Sequence, residues 1–543
     1  MRRLGVAAAL VVGAALGAPA AAQAADPPPG AAISDNLEYI TRVADANCIV
    51  EGKFDRVKGR DVLVVTGRFG FKTYDVSDPK DPELMDEFLP AELADFGYWQ
   101  NEDMELDTRR KLIIGSLDPR HTERDQTRCP GTIDDPQTPK LANPGCKAGF
   151  YVISYANPAG LEQVGDFVEL PAGHTTSCIQ KCRYMWTGGP ARSAVIPPAT
   201  TRTYNPALRW LGPILGPDEV DPNFRFDRPV GDGRPIWVTD LSNPHRPQVS
   251  DQPIDLWRND GYTDYSHDVD EDAQGIAWVS GRGGIRGYAT KGWHRDPYQN
   301  RWRKATPFDP ILVAGGGVAG TARPTMFMHN SGRPTDGSVR AEGVKRGNVM
   351  VGTEEEFQDC SESGRIMFSD LTDSLGGEPA SRSTLTSPYR MTALDSFHPI
   401  LDTDEEAPED LDCSAHYFEI EGSTLGAAWY GLGLRLLDIS DARDVRQIAY
   451  YRVTGTSDEN PTSNSWDMAF RTDKRKGDLL YLFDMDRGIE VLRMKKGANA
   501  SRRMKSVTAP SARSSRFTSR PVGALDGIPN SDGSVSYVCP LFA

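Results

Sequence analysis

Four of the eight histidines in this 543-residue sequence stand at equivalent places, just ahead of apolar, β-branched segments. In two further segments an acid holds the same place. Neutral imidazole nitrogen and carboxylate oxygen suit Fe, Cu or Zn when three or four of them meet. If the fold brings these residues together, they form a candidate metal site. Its members are His174, His267, His329, His416, Asp103 and Asp467.

The same six residues have a structural interpretation. Repeat proteins place one polar residue at the same point of every unit, where it bonds neighbouring backbone or lines a water-filled channel. The pattern rests on an alignment of units rather than on a contiguous motif. Metal or substrate binding and a structural role both stay open at this stage.

Other groups carry less specific chemistry. Glu354, Glu355 and Glu356 follow a predicted strand and could supply a general base or a Ca²⁺ ligand, although solvated acidic turns have the same composition. The sequence contains no Gly-rich phosphate loop, no G-x-S-x-G elbow and no Ser/His/Asp order of a hydrolase triad. No substrate follows from these motifs.

A repeat must position the candidate ligands. Each unit has an apolar β-branched run, a turn with glycine, a second run that ends in Asp, and a turn rich in Ser, Asn and Pro. Both runs are apolar on both faces, so each sheet needs cover on each side, and a radial arrangement of sheets provides it. The sequence predicts an all-β fold, a seven-bladed β-propeller with long inserted loops. The units fall at 61–79, 111–158, 236–244, 275–288, 348–370, 426–441 and 478–492.

In a propeller the segments ahead of these runs become the innermost strands, so their first residues converge on one mouth of the central channel. The inserted loops, at 119–148, 190–232, 294–322 and 373–412, would then form a recognition face for a protein, glycan or cell-wall ligand. The sequence thus predicts both an axial site and a loop surface.

The ends of the chain suggest export. Arg2 and Arg3, an apolar run and the spacing Ala22-x-Ala24 predict a signal peptide at 1–24. We expect a polar, Pro-rich segment at 25–39, the propeller at 40–495, a Ser/Arg-rich linker at 496–530 and a ring-closing strand at 531–543. No later stretch reaches the roughly 18 apolar residues of a transmembrane helix. The expected product is a monomer that is secreted, periplasmic or held at the cell surface.

Charge argues against one class of partner. The chain has 76 acidic and 61 basic residues, for a formal net charge of −15. Affinity for a phosphate backbone needs a basic surface, so nucleic acid is not expected as a partner.

The eight cysteines are an even number in a chain with an export signal, which favours disulfides. The C-x3-C spacing of Cys178 and Cys182 fits a local bridge, with a metal thiolate as the alternative. Cys129 with Cys146 and Cys360 with Cys413 would each staple a long loop, which leaves Cys48 for Cys539. The sequence alone does not prove these pairings.

Three blocks resemble a known family. Tyr74-Asp75-Val76-Ser77-Asp78-Pro79, Val238-Thr239-Asp240-Leu241-Ser242-Asn243-Pro244 and Leu436-Leu437-Asp438-Ile439-Ser440-Asp441 resemble the LVIVD repeat of secreted bacterial β-propeller proteins. The resemblance implies a propeller and an exported or surface-associated setting. It implies no established chemistry.

A second resemblance concerns the histidines. Their convergence on a propeller axis is similar to carotenoid oxygenases and to selenium-binding, methanethiol-oxidising propellers, the latter through Ser266-His267-Asp268-Val269 followed by Ala277-Trp278-Val279-Ser280. It implies a His-ligated metal. Two functions remain: a binding or interaction module at or outside the cell surface, and a metal-dependent enzyme, an oxidoreductase, with its site on the axis.

Overall fold

The structure is a computed structural model, and the residues that it describes are almost entirely strands and their connections. They comprise 25–90, 102–117, 148–189, 236–254, 265–319, 328–355, 364–375, 391–405, 413–495, 528–529 and 535–536, with short gaps inside several of these ranges. Within these ranges there is one short 3₁₀ turn, η1 (Ala44–Ala46), and no helix long and apolar enough to cross a membrane.

The described ranges contain thirty-five strands, numbered in chain order. The first half contains β1 (Ala31–Ile33), β2 (Leu37–Val43), β3 (Ile49–Val57), β4 (Arg60–Gly67), β5 (Gly70–Asp75), β6 (Glu83–Phe88), β7 (Met104–Asp107), β8 (Leu112–Leu117), β9 (Gly149–Ser154), β10 (Glu162–Gln163), β11 (Val168–Glu169), β12 (Thr175–Ile179), β13 (Tyr184–Gly188), β14 (Trp237–Asp240), β15 (Gln248–Val249), β16 (Tyr265–Glu271), β17 (Ile276–Arg282) and β18 (Gly284–Ala289). The second half contains β19 (Trp293–Asp296), β20 (Arg301–Lys304), β21 (Ile311–Gly316), β22 (Val318–Ala319), β23 (Met328–Gly332), β24 (Val349–Glu354), β25 (Ile366–Asp370), β26 (Met391–Phe397), β27 (Ala415–Glu421), β28 (Thr424–Trp429), β29 (Gly433–Asp438), β30 (Arg446–Val453), β31 (Ser465–Arg471), β32 (Leu479–Asp484), β33 (Gly488–Met494), β34 (Ile528–Pro529) and β35 (Val535–Ser536).

Seven sheets of four or five strands form the blades of a β-propeller, which confirms the predicted fold class. From the inner to the outer edge the orders are β3-β4-β5-β6, β7-β8-β9-β10, β12-β13-β14-β15, β16-β17-β18-β21, β23-β24-β25-β26-β22, β27-β28-β29-β30-β1 and β31-β32-β33-β2, called blades 1 to 7. The innermost strands contact one another in a closed ring, from β3 round to β31 and back to β3. This ring is the wall of the central channel.

The repeat has a direct structural cause. Where the third strand of a blade ends, an Asp side chain accepts the backbone N–H two residues on: Asp75 from Ser77 (3.0 Å) and Asp240 from Ser242 (2.8 Å). This Asx turn ends the strand and sends the chain to the outer strand. The glycine that begins the third strand has positive φ, as at Gly70 (φ 89°), where a Cβ would lie 2.4 Å from the Phe88 carbonyl oxygen.

The core lies between blades. Val62 and Val64 of blade 1 pack with Ile113 and Ile153 of blade 2, and all four side chains are fully buried. The other interfaces are built alike, so each sheet is covered on both faces, as the doubly apolar strands require.

The ring closes with the N-terminal strand. β2 pairs antiparallel with β33 and becomes the outer strand of blade 7, while β1 adds to the edge of blade 6. The outer edge of blade 7 is thus held by β2. The segment 531–543, expected to close the ring, is described only at β35, which pairs with β34, so its ring-closing role stays a prediction. The strands of the propeller begin before residue 40. The alternating apolar residues of β2, Leu37 and Tyr39, bury the edge of blade 7, which explains its place there.

Two predicted loops contain regular structure. Segment 294–322 includes β20, β21 and β22, and β21 is the outer strand of blade 4. Segment 373–412 includes β26, the fourth strand of blade 5. Segments 119–148 and 190–232, and the predicted signal peptide and linker, lie almost wholly outside the described residues.

Cys178 and Cys182 form a disulfide, as the spacing predicts. Cys48 and Cys413 are also disulfide-bonded, and no described cysteine is free. Cys129, Cys146, Cys360 and Cys539 lie outside the described residues, so the longer pairings stay predictions.

Candidate metal centre on the propeller axis

Irregularities at the start of the inner strands position the candidate ligands. The pairing register shifts between Ser266 and Asp268 in β16, between Met328 and Ser331 in β23, and between Ala415 and Phe418 in β27. A β-bulge re-aims the side chain that it contains. The bulges hold His267, His329 and His416, and His174 directly precedes β12. Blades 3 to 6 thus each present one histidine at the same level of the channel.

The four imidazoles meet around one carboxylate. The Nε2 atoms of His329 and His416 each lie 3.0 Å from Oε1 of Glu102, and His174 Nε2 contacts Oε2 of the same side chain. His267 Nε2 lies 2.8 Å from His174 Nε2 and 3.7 Å from Glu102 Oε1. Each histidine is at most 2% exposed. The structure thus brings the four histidines together, and metal binding by them stays a prediction.

Hydrogen bonds behind two rings fix which nitrogen faces inward. His267 Nδ1 lies 2.9 Å from the His329 carbonyl oxygen, and His416 Nδ1 lies 2.6 Å from the Trp466 carbonyl oxygen. A carbonyl only accepts, so both Nδ1 atoms carry the proton. In the neutral rings the Nε2 lone pairs of His267 and His416 therefore point into the site. A backbone acceptor behind the ring is the usual second contact of a metal-ligating histidine.

This arrangement places acceptors against each other. His416, whose Nδ1 proton is given to the Trp466 carbonyl, directs its Nε2 at Glu102 Oε1, which is an acceptor, at 3.0 Å. Two facing acceptors repel each other unless a proton or a metal cation lies between them. In addition, His329 Nδ1 is buried and has no hydrogen-bond partner within the described part of the chain. The polar groups of the site are thus incompletely satisfied by one another.

Burial keeps two of the rings neutral. Burial, followed by the charge of His329, holds the pKa of His267 well below its ordinary range. Burial and the neighbouring His416 lower the pKa of His329 to about 3. Burial also opposes ionisation of Glu102, yet the adjacent His174 and His267 hold the pKa of Glu102 well below its ordinary value. A carboxylate amid neutral imidazoles is the donor set of a divalent cation.

Glu355 stands behind the histidines. Its Oε2 lies 4.0 Å from His329 Nε2 and its Oε1 lies 4.0 Å from His416 Nε2. The hydroxyl of Tyr430 donates to Oε1 of Glu355 at 2.5 Å and fixes this carboxylate. Two overlapping sets of ligand atoms result, Glu102 with His174 and His267, and Glu102 with His329, Glu355 and His416.

Asp103 and Asp467 are not members of either ligand set. Asp103 and Asp467 correspond in position to Asp268, the residue that follows His267 in sequence. They therefore lie one residue beyond the positions that the histidines occupy in the other blades. Glu102 and Trp466 hold the histidine level in blades 2 and 7. The correct alignment of these two blades is therefore shifted by one residue from the predicted one.

The next levels of the channel are acidic. Lys53 Nζ lies 3.0 Å from Glu51, 3.7 Å from Asp103 and 3.2 Å from Glu105. Burial raises the pKa of Asp467 to about 8 and the pKa of Asp270 to about 7, and the charge of Lys53 opposes both rises. The Lys53 side chain is 35% exposed, so solvent reaches this level. Buried carboxyl groups therefore cluster with the partly exposed Lys53 next to the histidine level.

Two site residues are not found by sequence reasoning. Glu102 is adjacent to Asp103, which the pattern favours, and the only signal for Glu102 is the run of acids in Glu102-Asp103-Met104-Glu105. Glu355 lies within the acidic run 354–356, whose composition equally fits a solvated turn. In the structure Glu355 is 6% exposed.

Comparisons with known proteins identify no family for this chain. No family model matches the chain, and no curated protein matches it. Among solved structures it is similar to an extracellular domain from B. thetaiotaomicron, with 11% identity and a TM-score of 0.42 over 84% of this chain and 40% of that one. The chain therefore spans about two fifths of that structure.

Two further solved structures are similar over most of their length. The periplasmic gluconolactonase PpgL of Pseudomonas aeruginosa has 10% identity and a TM-score of 0.39, over 80% of this chain and 94% of that one. The β-propeller domain of Cps50 (Swd1) from Myceliophteria thermophila has 9% identity and a TM-score of 0.39, over 85% and 99%. The seven sheets of this chain and the closed ring of their inner strands define the class of the protein, a seven-bladed β-propeller.

Proposed function

We propose that this protein is a metal-dependent oxidoreductase whose Fe or Cu centre lies on the propeller axis. The observation that carries the proposal is the convergence of four buried imidazoles, one from each of four blades, on the buried Glu102 carboxylate. A structural role requires only that each histidine bond its neighbours. In that role a second proton on the His416 ring would have to satisfy the contact between His416 Nε2 and Glu102 Oε1, whereas a divalent cation would satisfy it without that proton.

The residues fit a metal ion. A divalent cation would accept the inward lone pairs of His267 and His416 and would remove the repulsion between His416 Nε2 and Glu102 Oε1. His174 and His329 would add their Nε2 atoms once these have lost their protons. Imidazole ligands suit Fe, Cu and Zn. When bound, a redox-active Fe or Cu supplies one-electron chemistry, whereas Zn would supply only a Lewis acid.

The chain's own groups have separate roles in this proposal. The Trp466 and His329 carbonyls orient the rings of His416 and His267. Glu102 balances the positive charge of the centre. Tyr417 shields two of the histidines from the channel. Its ring lies 4.6 Å from the His329 ring and 4.8 Å from the His416 ring, and the residue is 8% exposed. The carboxyl groups around Lys53 form a path by which protons can reach this level from solvent.

A metal titration tests the proposal. Metal-free protein is titrated with Fe²⁺, Cu²⁺ and Zn²⁺ while its thermal midpoint is followed, because a ligand at about 100 times its Kd stabilises the folded state by about 2.7 kcal/mol. We expect Fe²⁺ or Cu²⁺ to raise the midpoint in the wild type and not in His267→Ala, and a response to Zn²⁺ alone would contradict the redox part of the proposal. His245→Ala is the matched control, since His245 is exposed on the surface. An equal response of wild type and His267→Ala would overturn the proposal.

A binding role is the second candidate. The segments 119–148 and 190–232, which the sequence predicts to be loops, would supply a surface for a protein, glycan or cell-wall ligand. The LVIVD-like repeats support a secreted or cell-surface setting. The extracellular and periplasmic settings of two structural neighbours are compatible with that location. Wild-type protein that stays metal-free after the titration above, while it retains its fold, would favour this role.

A further inference from the structure

The hairpin of β19 and β20 stands outside the seven blades as a separate two-stranded sheet. It follows the third strand of blade 4 and precedes β21, the outer strand, which β19 contacts. Its register pairs Trp293 with Lys304 and Arg295 with Trp302. Because side chains alternate between the faces of a strand, these four residues share one face.

The opposite face of the hairpin fixes it to blade 4. Asp296 is 4% exposed, and its Oδ2 accepts from Arg303 Nε at 2.6 Å. The same guanidinium donates to Asp309 Oδ2 at 2.8 Å and to the Pro310 carbonyl at 2.8 Å. These charge-assisted bonds hold the hairpin in one orientation. The face with the two tryptophans is therefore turned to solvent.

The solvent face exposes two large aromatic side chains. Trp293 and Trp302 are each 66% exposed, more than any other large apolar side chain in the described ranges. They are diagonal neighbours across the two strands, at a spacing of about 7–8 Å. Phe308, 43% exposed, follows the hairpin. Large aromatic side chains are normally buried, because burial of their apolar surface stabilises the fold. Two exposed indole rings next to each other therefore indicate an interaction surface.

Cations interleave with these rings. Arg295 and Lys304 lie on the tryptophan face, and Lys291 and Arg301 flank it, while the one acid of the hairpin, Asp296, is neutralised by its ion pair. The patch is thus basic on a chain whose net charge is −15. At physiological salt, electrostatic interactions are screened beyond about 8 Å. An anionic surface next to this hairpin therefore interacts with the cations of the hairpin and not with the distant acidic residues.

We infer that the tryptophan–cation face of this hairpin docks the protein on an anionic lipid surface. Tryptophan belongs at the headgroup level of a bilayer, where its ring is apolar and its N–H remains wet. Basic side chains beside it gain about 1 kcal/mol each from anionic headgroups. This inference uses no residue of the axial site, so it stands whether or not the metal centre is confirmed.

Cosedimentation of the full mature chain with vesicles tests the inference. The vesicles are phosphatidylcholine with about one third phosphatidylglycerol, against pure phosphatidylcholine, at low and at physiological salt. We expect binding to the anionic vesicles alone, weakened by salt. The variants are Trp293→Ala with Trp302→Ala, and Arg295→Glu with Lys304→Glu. Each pair should weaken binding by at least about tenfold.

The matched control is Leu84→Ala with Val249→Ala, which removes two other exposed apolar side chains, at 46% and 40%, and should leave vesicle binding unchanged. All of the substituted side chains are exposed or half-buried, so thermal midpoints should stay close to the wild type. A soluble anionic polysaccharide, polygalacturonate, serves as the competing source of anionic groups. Equal vesicle binding by the tryptophan variant, or binding of polygalacturonate without any binding of vesicles, would overturn the inference.

Discussion

Replacement of Glu102 by Gln separates the two roles proposed for this residue. The amide has the same shape, so it removes the charge and keeps the side chain in place. In the metal-free protein the amide N–H₂ can donate to His416 Nε2, where the carboxylate presents an acceptor at 3.0 Å. A buried hydrogen bond of this kind contributes about 0.5–1.5 kcal/mol. This gain opposes the loss of the ionic contacts that hold the pKa of Glu102 below its ordinary value, so the metal-free variant should change little in stability.

The effect on metal affinity has the opposite sign. Loss of even an outer-sphere partner typically weakens metal binding by about 10–100-fold, which is about 1.4–2.8 kcal/mol. This range is a lower estimate for Glu102, which belongs to both sets of ligand atoms. The upper bound comes from Coulomb's law, since a unit charge about 4 Å away is worth about 4 kcal/mol at an effective dielectric constant of 20. Glu102 lies close to all four Nε2 atoms, so we expect a loss near or above the top of the range of about 10–100-fold.

Competition against a chelator of known affinity measures the change, and differential scanning calorimetry of the metal-free proteins measures the stability. Glu355→Gln is the internal comparison. Its carboxylate is 4.0 Å from two Nε2 atoms, so the loss of affinity should be smaller. Unchanged affinity in Glu102→Gln, together with a lower thermal midpoint, would refute the reasoning, because it would make Glu102 a structural hydrogen-bond acceptor only.

Three more predictions concern the rest of the channel and the blades. Burial raises the pKa of Glu51 and of Asp467 to about 8, so each binds a proton in the folded chain that the unfolded chain releases near pH 4. The free energy of unfolding should thus fall as the pH rises from about 4 to about 8. Urea titrations of Asp467→Asn should show a slope of this free energy against pH that is smaller by up to about 1.4 kcal/mol per pH unit. An unchanged slope would contradict this prediction. Glu405→Gln should destabilise the chain by about 3–5 kcal/mol, because Arg435 and Arg452 lose their buried partner, and a midpoint equal to the wild type would contradict it. Mass spectrometry of unreduced peptides should find Cys178 linked to Cys182, and a free thiol on either would contradict the pairing.

The repeat makes the blades predictable. The paired apolar runs identified in the sequence are the middle strands of blades, for example β4 with β5 and β32 with β33. These strands are buried on both faces, so most of their residues are apolar. That composition identifies them without knowledge of the strands that they pair with. β13 is not predictable in this way, because Tyr184-Met185-Trp186-Thr187-Gly188 has no run of β-branched residues. Its strand state depends on its pairing with β12 and β14.

The site is predictable in part for a different reason. Three of the four histidines share a level because the same bulge recurs at the start of the inner strands. The bulge also breaks the alternation of side chains, so sequence alone does not decide between Glu102 and Asp103, or between Trp466 and Asp467. Ring closure depends on long-range pairing between β2 and β33, which no local pattern encodes.

The metal content of the protein as purified tests the axial metal centre most directly. The full chain is exported from its expression host, purified without chelators, and analysed by mass spectrometry of the elements beside His267→Ala and His245→Ala. We predict about one Fe or Cu per chain in the wild type and in His245→Ala, and none in His267→Ala. Folded wild-type protein without metal, even after incubation with Fe²⁺ or Cu²⁺, would contradict the proposed centre, as would a full metal content in His267→Ala.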